Sequence, residues 1–161
     1  MPVILGIDPG SSITGFGVID SDGKSYKYIA SGSIRLSNKE FSQKLIQIYS
    51  SISDVITKFA PDEAAIEDVF VHANVNSALK LGQARGAAIV AIGGGNIKLA
   101  EYPTRKVKQA VVGFGAAEKA QVAQMVKLIL KLKELPQADE ADALAVAICH
   151  ANNTGFIRVK G

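Results

Sequence analysis

Val3 to Asp20 reads VILGIDPGSSITGFGVID, and the fold is decided here. Val3, Ile4, Leu5 and Ile7 form a short apolar run, the pattern of a strand buried on both faces. The run ends on a carboxylate, Asp8. Pro9, Gly10 and the Ser11–Ser12 pair then turn the chain, and Gly15 to Ile19 returns as a second strand. An acid in an otherwise oily strand costs several kcal/mol to keep ionised unless a cation or a donor-rich ligand lies against it. Two readings stand at this point. Asp8 accepts hydrogen bonds from the amides of the Gly10–Ser11 turn, or it faces a ligand of opposite charge.

Beyond this stretch, Ser21-Asp22-Gly23-Lys24 is a turn, and Ser25 to Ile34 alternates loosely as a third antiparallel strand. Ser37-Asn38-Lys39-Glu40 has the form of a capping box. Phe41, Leu45, Ile48, Ile52, Val55, Ile56 and Phe59 follow at three- and four-residue steps, which predicts a helix with one buried stripe, stopped by Pro61. Ala64 to Glu67 reads as a short buried strand that again ends in an acid. A helix from about Ser77 to Ile92 carries small residues that allow close approach by the sheet or a second subunit. Ile97 to Tyr102 is a fifth strand, and Pro103-Thr104 opens a further helix, broken at Gly113-Phe114-Gly115. Val122, Met125, Val126, Ile129 and Leu130 mark another amphipathic helix. Asp139 to His150 is the last, followed by a polar tail. This order predicts an α/β fold with a five-stranded mixed sheet flanked by helices on both faces.

The chain's 161 residues, 48% hydrophobic and 20% charged, fit one ordinary globular domain. No apolar run reaches membrane-spanning length, and no secretory signal precedes the first strand. Its single cysteine, Cys149, excludes an internal disulfide, fits a reducing cytoplasm and sits in the apolar run ALAVAIC as a core residue. Charge is unevenly spread. Thr104 to Lys133 holds seven basic residues against one acid, Glu118, which points to a polyanion partner or to a solvated helix face.

Four acids sit where acids are awkward. Asp8 and Glu67 end buried strands, and Asp139 and Asp142 open the last helix. Residues three apart on a helix share a face, so Asp139 and Asp142 point the same way. The macrodipole also favours acids at a helix start, which accounts for that pair but not for the two strand acids. If the acid-bearing strands are neighbours and the helix crosses their end, four carboxylates meet, and such a group needs a counter-charge. Oxygen ligands without a Cys or His cluster point to Mg²⁺, with Mn²⁺ able to substitute. Two such ions about 4 Å apart are suited to in-line hydrolysis of a phosphodiester.

LGIDPGSSITGFGVI, AIEDVF, SALKLGQARG, VKQAVVG, AEKAQVAQMV and QADEADALAVAICH, in this order, closely resemble the RuvC family of bacterial Holliday-junction resolvases. The match runs from Val3 to His150. The resemblance implies a ribonuclease H-like nuclease domain over 1–150 and a flexible C-terminal tail over 151–161. It implies a cytoplasmic homodimer that nicks four-way junction DNA at paired symmetric positions, leaving ligatable ends, in recombination and repair. It also implies a partnership with RuvA and RuvB. By position, Asp8, Glu67, Asp139 and Asp142 match the catalytic metal ligands. Phe70 matches an aromatic that stacks on exposed junction bases, and Lys108 and Lys119 match basic residues that handle DNA phosphates. The helix holding Ala78 to Gly86 matches the dimer-forming one. Two positions depart from the family pattern: Ala73 stands where a basic residue is frequent, and Asp68 where a neutral polar one is.

Three other readings remain open. GIDPGSSITG looks like the phosphate-binding turn of the actin and sugar-kinase superfamily, but those enzymes enclose ATP between two lobes. GGGN and GFGAAEK lack the ending of a P-loop. A RuvC-like nuclease acting on ribosomal RNA precursors shares the strand acids without LKLGQARG and QADEADALA. A branched-DNA-binding module that does not cut would keep the basic surface alone.

Overall fold

The computed structural model describes residues 1–36, 40–68 and 74–159, with the last six by backbone alone. Strands β1 (Val3–Asp8), β2 (Ile13–Ser21) and β3 (Tyr26–Arg35) come first, then helix α1 (Phe41–Phe59) and β4 (Glu63–Asp68). Helix α2 (Val75–Gly94), β5 (Lys98–Pro103), α3 (Thr104–Val112), α4 (Lys119–Ile129) and α5 (Ala138–Val159) complete the described elements. One sheet has the order β3-β2-β1-β4-β5. β1 and β2 pair antiparallel, as do β2 and β3, while β4 runs parallel to both β1 and β5. This is the mixed sheet read from the sequence.

Alternation along each strand divides the interior into two cores. Ile4, Ile19 and Ala65 face one core, built with α3, α4 and α5. Leu5, Ile7, Val18 and Ile66 face the other, under α1 and α2. Helices therefore cover both faces, and β1 is closed in on each side, as its unbroken apolar run requires.

α5 is the helix on which the site depends. Every residue from Ala143 to Ala151 is buried, and it lies flush on β1 and β2 because glycines clear its path. A Cβ on Gly6 would come within 2.1 Å of the Ala143 carbonyl oxygen, and one on Gly15 within 2.2 Å of the Asp139 carbonyl oxygen. On Gly17 it would strike the Leu144 side chain at 2.6 Å. Gly6 and Gly17 are paired across the sheet, and Gly15 is paired with Asp8. A bare strip of backbone thus runs under the start of α5, next to the acid of β1.

One chain of polar groups crosses the interior between α5, β4 and β5. The Tyr102 hydroxyl meets His150 Nδ1 at 2.7 Å, and His150 Nε2 meets Glu63 Oε2 at 2.9 Å, tying α5 to β4 and β5. Cys149 is a buried free thiol, pushed up to about 11 by burial first, with Lys106 opposing and Glu67 adding to the shift. It is a core residue, as the apolar run implies.

Most elements start or end within two residues of the sequence reading, and the start of α1 and the end of α5 depart from it in kind. α1 begins at Phe41 with Glu40 as its N-cap and no side-chain cap bond. Glu40 is therefore one turn too early to close the capping box expected from Ser37, which lies outside the described residues. The box that does form is on α4, where the Glu118 amide donates to Gln121 Oε1 at 2.8 Å. At the other end, α5 extends to Val159 rather than ending near His150, so helix continues through most of the segment read as a tail.

Candidate active site

Asp8 leaves β1 into a turn closed from beneath by Thr14, whose side chain is fully buried. The Gly10 amide donates to Thr14 Oγ1 at 3.2 Å, and the Thr14 hydroxyl donates to the Gly10 carbonyl at 3.0 Å. The Gly10 amide is thus committed to Thr14, not to Asp8 as an Asx turn would have it. β1 and β4 are neighbours with Ile7 paired to Ile66, so Asp8 and Glu67 end adjacent strands. Strand alternation sends both toward the face covered by α5. The glycine strip then admits the first turn of α5, with Asp139 and Asp142, over the same end of the sheet.

All four acids line one cavity of about 310 Å³, together with Lys108 of α3 and Lys119 of α4. Asp8 is pushed up to about 8 from 3.8, by burial first and then by the negative charge of Asp142, Glu67 and Asp139, with Lys119 opposing. Asp142 is pushed up to about 6; burial leads, Lys119 and Lys108 pull down, and Glu67 and Asp139 push up. The Lys119 ammonium stands 3.8 Å from Asp142 Oδ2 while its side chain is 81% exposed. Two lysines do not neutralise four carboxylates, and Asp8 holds its proton to near neutral pH. The cavity is short of positive charge.

That shortage is the test of whether a cation belongs here. The donors are all carboxylate oxygens, the set preferred by hard divalent ions, and a cation would relieve the repulsion that raises Asp8. Among the described residues no three His, Cys, Asp or Glu side chains are gathered tightly enough to form a closed metal site. The donor chemistry fits a divalent ion, with the acids spread round the cavity wall rather than converged on a point.

The sequence-selected residues distribute as follows. Asp8, Glu67, Asp139, Asp142, Lys108 and Lys119 come together. Phe70 and Ala73 lie outside the described residues. Asp68, on the opposite face of β4 from Glu67, turns to Arg85 of α2, whose guanidinium lies 4.0 Å from Asp68 and 3.2 Å from Glu101. The Asp68 departure is therefore met by a cation away from the cavity. Sequence reasoning missed Thr14 and the strip of Gly6, Gly15 and Gly17. The only signal for them was the recurrence of glycine at every second residue of TGFG, beside a strand that itself contains one.

Residues 4–150 match the family model described as crossover junction endodeoxyribonuclease RuvC. A curated relative of that name from Aliivibrio salmonicida is 58% identical over 162 residues, covering 100% of this chain and 94% of that protein. One from Photobacterium profundum is 59% identical over 152 residues, covering 94% of this chain and 88% of that protein. Among solved structures, Thermus thermophilus RuvC in complex with Holliday junction substrate superposes with a TM-score of 0.91 at 33% identity. That likeness covers 97% of this chain and 96% of the other.

Proposed function

The chain belongs to the RuvC family, the crossover junction endodeoxyribonucleases with a ribonuclease H-like fold, and from this premise we propose that it resolves four-way DNA junctions at the Asp8–Glu67–Asp139–Asp142 cavity. The observation that carries the assignment is the meeting of four acids from three separate elements in one cavity with two rim lysines. Asp8, Glu67, Asp139 and Asp142 are the residues that would hold Mg²⁺, two ions per site. Such ions supply Lewis-acid polarisation of a phosphodiester and activation of a water.

The chain's own groups do the remaining work. Lys108 and Lys119 receive the DNA phosphates as point charges at the cavity mouth. The shared burial of Asp8 under α5 keeps bulk water from the cavity floor, so that charge interactions there are strong. Phe70 stacks on an unpaired base beside the cut. Two active sites are needed for paired nicks, and the outer face of α2 supports a homodimer. Val75, Leu79 and Val90 are exposed there, and Gly82 and Gly86 have nothing within 4 Å of a Cβ. Family membership is the ground for proposing RuvA and RuvB as partners in a cytoplasmic recombination and repair pathway.

The test is incubation with a synthetic four-way junction in Mg²⁺ and, separately, in Ca²⁺. Paired, ligatable nicks with Mg²⁺ and binding without nicks in Ca²⁺ are expected. Absence of cleavage with Mg²⁺ refutes the assignment.

A further inference from the structure

The segment joining α3 to α4 carries one large side chain that the fold does not use. Phe114 is 49% exposed, although Ala117, only three residues on, is buried in the core under α5. Isolated exposed apolar side chains are ordinary on protein surfaces; what marks Phe114 is its setting. Gly113, at φ 103°, ends α3 in the left-handed region, its amide donating to the Gln109 carbonyl at 2.9 Å. The chain then doubles back along the helix it has just left. A Cβ on Gly115 would meet Arg105 Cγ at 2.3 Å and Nε at 2.9 Å, so the turn lies on the Arg105 side chain in the first turn of α3. Thr104 and Lys108, on either side of Arg105 in sequence, line the carboxylate cavity. Three residues past Ala116 the chain reaches Lys119 at the cavity's other rim. Phe114 is thus an exposed aromatic in the segment that joins Lys108 on one wall of the cavity to Lys119 on the other, in a turn that rests on Arg105.

An exposed ring on a turn between cavity-lining lysines suits single-stranded nucleic acid, which sets its phosphates on the charges and a base face on the ring. We infer that Phe114 is a second base-stacking residue of this chain, taking the planar face of an unpaired nucleobase next to the phosphate held by Lys108 and Lys119. The inference deepens the junction-nuclease reading and rests on it. Phe114 contributes through its π-face, not its charge. Its removal therefore weakens binding at every salt concentration alike, whereas removal of a phosphate-binding lysine lowers the salt slope.

The experiment measures binding of the full chain in Ca²⁺ to a four-way junction carrying 2-aminopurine next to the cleavage position, over a salt series. Wild type is compared with Phe114→Ala, Phe114→Leu and Phe114→Trp, and thermal midpoints confirm folding of each. Phe114→Ala is expected to bind about 5- to 50-fold more weakly with an unchanged salt slope and to lose the change in 2-aminopurine fluorescence. Phe114→Trp retains both, and Phe114→Leu behaves like alanine. If Phe114→Ala binds within twofold of wild type, or if leucine restores binding, the stacking role is overturned. Should wild type itself neither bind nor cut the junction, the functional assignment fails instead, so the two failures are distinct.

Discussion

At the residue scale the informative group is Asp8. Its carboxyl is raised to about 8 from 3.8 by burial and by three neighbouring acids, so the folded chain keeps a proton that the unfolded chain releases near pH 4. Between those values the folded state binds more protons, and stability falls as pH rises through the interval. In EDTA, the thermal midpoint of wild type is expected to fall from pH 5 to pH 8.5. Asp142, raised to about 6, contributes to the lower part of that fall. Asp8→Asn should flatten the curve and exceed wild type at pH 8 by on the order of 1–3 kcal/mol, while losing junction cleavage and keeping junction binding. A wild-type midpoint that stays level or rises over this range, or a variant that still cuts, contradicts the account.

At the scale of elements, the placing of Asp139 and Asp142 depends on how closely α5 approaches the sheet. Gly15→Ala would set a methyl 2.2 Å from the Asp139 carbonyl oxygen. The helix must shift, at a cost of about 1–3 kcal/mol from overpacking, and the acids shift with it. Circular dichroism should show a folded but less stable protein, and cleavage should drop more than tenfold. Unaltered cleavage would mean that the helix spacing does not govern the site. This dependence explains what could be read in advance. The strand acids were legible because a carboxylate interrupts an apolar run, and α1 because its stripe repeats at helical spacing. Both are local signals. The function of Gly6, Gly15 and Gly17 was not legible, because it depends on which distant helix crosses β1 and β2. Nor was the cap of α1, where Glu40 fitted a four-residue motif but sits one turn short of it. The continuation of α5 past His150 was missed for another reason: Asn152, Asn153, Thr154 and Gly155 are weak helix formers.

For the whole molecule, the basic residues of α3 and α4 and the acids beneath them form one polar end, while α2 offers an apolar side. Lys119→Ala is expected to lower the slope of log binding against log salt by about one unit; an unchanged slope moves the phosphate contact elsewhere. Leu79→Glu, at an exposed position of α2, should leave the fold intact and shift sedimentation from dimer to monomer. Paired nicks should then become single ones. A monomeric wild type at micromolar concentration would rule out this side as the interface.

The contact of α5 with bare backbone has a consequence for how such a nuclease can change over time. Where side chains meet, a gap can be widened or narrowed one methylene at a time, but backbone against backbone offers no such gradation. The floor beneath the acids is therefore held against drift, and new target preferences have to arise by substitution in the rim of α3, α4 and the turn between them. Relatives that differ in the DNA they select should differ there first, while Gly6 and Gly15 stay as they are.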